Sequence, residues 1–144
     1  MDYTHHMSNK SIILIIGDWL VLLLFVFIGQ RDHNMSGPGT FASLLTTTLS
    51  LAVPWTVAAF LLGAYRLEES PTLGRWLGRV LTAWLVAAPL GLLLRALLRG
   101  QGAIAVPFML VALGLGGLFV LGWRGVYYLL RNRRKRFSPA RSGL

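Results

Sequence analysis

No cysteine occurs in this chain. Its absence removes disulfides, thiolate metal sites and cysteine nucleophiles together. Acid is scarce as well: five Asp and Glu stand against 14 Lys and Arg, for a formal charge of +9. Charged residues of both signs make up only 13% of the sequence. A water-soluble domain carries about 25%, because its surface must be covered with groups that water solvates. A chain of 144 residues that is 55% hydrophobic cannot supply that cover, so lipid is its natural solvent. Also missing are a nucleophile–base–orienter set and a phosphate-binding glycine loop, so an enzyme is not expected.

What is present is a set of four apolar runs. Residues 12–29 are apolar except for Asp18, and 41–65, 80–94 and 103–123 contain no charge. The third run lengthens to 76–98 if Arg79 and Arg95 carry their charged heads to the interfaces. A spanning helix needs about 20 such residues. Open strands are excluded, because lipid does not tolerate unpaired backbone groups. The expected fold class is therefore all-α, a polytopic membrane protein with a four-helix transmembrane bundle. Its helices are expected at about 11–29, 42–65, 76–98 and 103–130, with a basic tail over 131–144. A cleaved signal peptide is the rival reading of the first run. That run carries an acid and lacks an A-x-A-like exit before Gly29, so it is read as a retained helix.

Direction follows from the basic residues. Of the 14, only Arg31, Arg95 and Arg99 fall on the side of the loops at 30–40 and 99–102. Lys10, Arg66, Arg75, Arg79, Arg124 and the whole tail fall on the other. Both termini are expected in the cytoplasm and the protein in the cell membrane. The outer loops are short and rich in turn residues, so function is expected in the bundle or on its faces.

Small residues recur four apart at Ala59/Gly63, Ala87/Gly91 and Ala112/Gly116. Such pairs let helix backbones approach closely, within one chain or across a homodimer. Pro54 and Pro89 lie inside the second and third runs. Each frees a carbonyl one turn earlier, at Ser50 and Leu85, and predicts a kink.

Asp18 is the most informative residue. A lone carboxylate near mid-helix costs about 2.5–3.5 kcal/mol on insertion scales, so it must be protonated, paired or wet. Asp18 lies about two helical turns in from Lys10, and Arg124 about two turns in from Arg131. The two groups are thus expected at one depth and as a buried ion pair, with Arg79 as the other candidate partner. Such a pair either fixes helix register or forms a proton or substrate site.

An outer polar cluster gathers Arg31, Asp32, His33, Arg95, Arg99 and Gln101. Asp32 and His33 are adjacent and fall short of the ligand count of a metal site, so no metal and no cofactor is expected. A solvated rim or an anion or lipid-headgroup site at Arg95 and Arg99 are the readings that remain. Past the fourth run come Trp123, Tyr127 and Tyr128, an aromatic belt, and then Arg131, Arg133, Arg134, Lys135 and Arg136. Juxtamembrane basic runs hold anionic headgroups, at about 1 kcal/mol per residue. Nucleic acid is not expected as a partner, because no recognition fold accompanies the charge.

Two stretches carry a resemblance. Gly17-Asp18-Trp19-Leu20 through Gly29-Gln30-Arg31-Asp32-His33 is similar to the opening helix of domain-of-unknown-function family 3054. Leu94-Arg95-Ala96-Leu97, Gly100-Gln101-Gly102-Ala103, Pro107-Phe108 and Leu121-Gly122-Trp123-Arg124 resemble its later half. The family comprises small prokaryotic membrane proteins. The resemblance implies four membrane helices and no established activity.

The residues therefore favour a non-enzymatic bundle that organises lipid or a membrane partner. The alternative is a small proton-coupled transporter using Asp18, similar to the small multidrug-resistance proteins in its four short helices and its acid in the first. The one-sided charge bias and a neutralising Arg124 depart from that pattern.

Overall fold

A computed structural model describes residues 9–32, 39–66, 72–100 and 106–136. It holds four helices: α1 (Asn9–Asp32), α2 (Thr40–Leu61), α3 (Leu73–Leu98) and α4 (Val106–Arg136). Each is long and apolar enough to cross a membrane. Among the described residues there are no strands. α1 packs on α2 and α4, and α3 packs on α2 and α4, so chain neighbours touch and the first helix closes the ring against the last.

The bundle is apolar outside and partly polar inside, the reverse of a soluble protein. Ile16, Leu20, Leu24, Phe27 and Ile28 of α1 are exposed, as are Leu110, Leu118 and Leu129 of α4. Asp18 and Arg124 are fully buried. On α1 the inward face is Leu14, Asp18, Leu22 and Val26, spaced four apart, so one acid replaces one apolar tooth in a regular stripe.

The helix contacts put small residues against bulky ones. A Cβ added at Gly91 of α3 would lie 2.7 Å from the Ser50 carbonyl of α2. Gly116 and Gly117 of α4 receive the Trp84 ring of α3, whose Nε1 donates to the Leu113 carbonyl at 2.9 Å. Gly17 of α1 receives the Trp123 ring of α4. Between α1 and α2, Trp19 Nε1 donates to Thr56 Oγ1 at 3.0 Å. Ala87, Gly91, Ala112 and Gly116 are all buried in these contacts. Their spacing serves packing within the chain.

Several boundaries differ from expectation for local reasons. α2 ends at Leu61 and not at 65. Gly63 takes the left-handed φ of 70°, with Gly63 N–H donating to the Phe60 carbonyl and Ala64 N–H to the Ala59 carbonyl. This is the Schellman pattern of helix termination, so Gly63 is a stop signal and not half of a packing pair. α3 starts at Leu73, where the Thr72 side chain accepts from the Arg75 N–H. α4 begins at Val106 with Pro107 in its first turn, where proline costs little. It continues to Arg136, so the basic run expected as a tail starts on helix. Nothing breaks it there: no Gly or Pro follows Gly125 before that point, and Arg and Lys are good helix formers. Pro54 and Pro89 sit inside continuous helices.

Candidate functional site

Asp18 and its direct partners come from three elements. α1 supplies Asp18 from its inward stripe. α4 supplies Arg124, one turn after Val120 on its buried face. α2 and the turn that ends it supply the surroundings: Trp55, Ala64 and Tyr65.

Arg124 grips Asp18 with two parallel hydrogen bonds, Nε to Oδ1 at 2.9 Å and Nη2 to Oδ2 at 2.5 Å. This fork-to-fork geometry is the strongest form of the pair. Trp55 Nε1 donates to Oδ2 at 2.9 Å, and the Tyr65 hydroxyl donates to it at 3.2 Å. Arg124 Nη1 donates to the Ala64 carbonyl at 2.8 Å, which also accepts from Trp76 Nε1 at 3.0 Å. Both charges are 0% exposed. A buried pair is tolerated only when further hydrogen bonds satisfy its remaining atoms, and here both carboxylate oxygens and three guanidinium donors are engaged.

Aromatic faces complete the enclosure. The Arg124 guanidinium carbon lies 4.8 Å from the Tyr65 ring centre, 5.5 Å from that of Trp76 and 5.7 Å from that of Trp55. Rings at such distances attract a cation through their negative faces, more strongly where water is excluded. The chemical result is a neutral, desolvated unit that joins α1, α2, α3 and α4 near one end of the bundle. Arg79 takes no part in it; its guanidinium lies beside Gly63.

Asp18 and Arg124 were legible in the sequence. Trp55, Tyr65, Trp76 and the Ala64 carbonyl were not singled out. The available signal was that an indole N–H inside an apolar run needs an acceptor.

The second cluster lies at the opposite end. Arg95 Nε and Arg99 Nη2 each donate to Thr47 Oγ1 at 3.3 Å. Arg99 Nη2 also donates to Ser43 Oγ, which accepts from Gln30 Nε2 at 3.2 Å. Arg31 is exposed at the end of α1. His33, Gln101 and the Asp32 side chain lie outside the described residues. On α4, Arg133 and Arg134 are exposed and Arg131 is half-buried. The Lys135 and Arg136 side chains lie outside the described residues. Tyr127 and Tyr128 pack partly on the core, with the Tyr128 ring 6.1 Å from Trp76.

A family model described as "Protein of unknown function (DUF3054)" matches residues 15–127. No curated protein and no solved structure matches the chain.

Proposed function

The chain belongs to the DUF3054 family, and from that premise and its site we propose that it is a non-enzymatic bundle of the cell membrane that gathers anionic lipid at its cytoplasmic face. The observation that carries this reading is the continuation of α4 to Arg136, with Arg133 and Arg134 exposed on it. A helix projects its side chains at fixed angles, so these guanidiniums are held at the surface and not on a loose chain. Each basic residue near an anionic leaflet contributes about 1 kcal/mol. The positive-inside bias supports placing this end, and both termini, in the cytoplasm.

The saturated Asp18 supports a structural over a transporting role. A carrier carboxylate must exchange partners in its cycle, and both Asp18 oxygens are already held by Arg124, Trp55 and Tyr65. Proton-driven flux through vesicles containing the purified protein is expected to be absent.

The test of the lipid reading is the quadruple change R133Q, R134Q, K135Q and R136Q. The variant should keep its helix content and lose anionic lipid from the purified protein, scored as phosphatidylglycerol retained relative to phosphatidylcholine. Equal retention by variant and parent would remove the reading.

A further inference from the structure

The cluster at the other end of the bundle has the chemistry of an anion receptor. Thr47 is 5% exposed and forms its floor, while Gln30, Ser43, Arg95 and Arg99 are half-buried around it. Thr47 Oγ1 accepts from two guanidiniums, and Ser43 Oγ accepts from Arg99 and Gln30. A hydroxyl has two lone pairs and one proton. With both lone pairs taken, each of these hydroxyls still has a proton to donate, and no described residue accepts it. Arg99 bonds through Nη2 alone among the described residues, which leaves its Nε and Nη1 donors for a ligand.

We propose that Ser43, Thr47, Arg95 and Arg99 bind a phosphate-class oxyanion at this end of the bundle. Both guanidiniums supply charge, and Arg99 supplies a planar fork with open donors, the geometry that matches phosphate oxygens. The hydroxyls supply two more donors. Cations are excluded by the same charge. The residues lie in the first two turns of α2 and at the end of α3, where the two helices meet the same end of the bundle. The anion is thus a phospholipid headgroup or a free phosphate, one chemistry from two sources. The site is independent of the α4 basic end, which lies at the opposite end of the bundle.

The full chain, purified in a nonionic detergent, is titrated with inorganic phosphate in one arm and dihexanoyl phosphatidylglycerol in another. Chloride holds the ionic strength constant, and melting temperature and phosphorus line width are read. Saturable binding in the phosphate arm assigns a free-anion site, and binding in the lipid arm alone assigns a headgroup site. Either supports the proposal if R99Q and, separately, T47V weaken it about tenfold, as loss of a charge-assisted or buried hydrogen bond does. T47V keeps both charges and the side-chain shape, so it decides the matter by itself should R99Q not fold. R133Q with R134Q is the control in the phosphate arm and leaves that affinity unchanged; in the lipid arm, where the α4 end also binds, only the binding that T47V weakens in the R133Q/R134Q background is assigned to this site. No saturable binding in either arm, or equal affinity in the parent and T47V, overturns it.

Discussion

The main-chain carbonyl of Ala64 accepts a 2.8 Å hydrogen bond from Nη1 of Arg124, tying the turn after α2 to the interior of α4. The bond makes the shape of that turn part of the ion-pair site. Ala64 follows Gly63, whose left-handed backbone directs its carbonyl toward Arg124 and brings Tyr65 under the guanidinium. Helix termination and charge burial are therefore one structural problem here.

Replacing Gly63 by Ala should destabilise the bundle by about 1–2 kcal/mol, the cost of left-handed backbone for an L-residue. An added Cβ would meet only Arg66 and Arg79 side-chain atoms at 3.7 and 3.8 Å, ordinary contact, so the loss is a backbone effect. Gly63→Asn should cost less, since Asn tolerates this region better. Thermal unfolding in detergent measures both. Equal stability of Gly63→Ala and the parent would mean the turn adopts another conformation.

Asp18→Asn and Arg124→Gln should each be strongly destabilising. Breaking a buried pair costs about 3–5 kcal/mol in soluble proteins, and water defects in a bilayer reduce that figure. The double change should cost less than the two singles together, because no charge is left stranded. A double-mutant cycle of thermal stability checks this. Simple additivity would show that the two side chains do not stabilise each other.

Gly91→Ala and Gly122→Ala separate close approach from helix propensity. The first places a methyl 2.7 Å from the Ser50 backbone carbonyl, which cannot yield as a flexible side chain would, so α2 and α3 must part. The second adds a methyl with nothing within 4 Å. Gly91→Ala should lower the unfolding temperature, and Gly122→Ala should hold or raise it, by at most about 1 kcal/mol of propensity. The opposite order would reject the α2–α3 contact.

Reporter fusions test the orientation in the membrane. A reporter after Leu144 and one inserted within residues 36–40 should report opposite compartments, the first cytoplasmic. A C-terminal reporter active only on the outer side would reverse the assignment.

The number of helices and their membrane character followed from the sequence alone. Spans of about 20 apolar residues leave a chain no soluble alternative, and backbone satisfaction in lipid leaves no alternative to helix. The Asp18 and Arg124 match was legible too, because depth along a spanning helix is counted in residues from a charged end. What surrounds that pair was decided by tertiary structure. Depth fixes height in the membrane but not rotation about the helix axis or the path of the turns. Trp55 and Trp76 are ordinary aromatic residues in apolar runs until α2 and α3 rotate their N–H groups toward Asp18 and Ala64. Gly63 reads equally well as a packing residue or a helix stop, and only its backbone angle chooses. Ala64 contributes through its carbonyl, a group every residue carries, so no pattern of side chains could have marked it. Ser43 and Thr47 likewise become a floor for two guanidiniums only because α3 returns Arg95 and Arg99 beside them. Sequence sets what each helix must bury; the packing of the four helices sets which atoms meet.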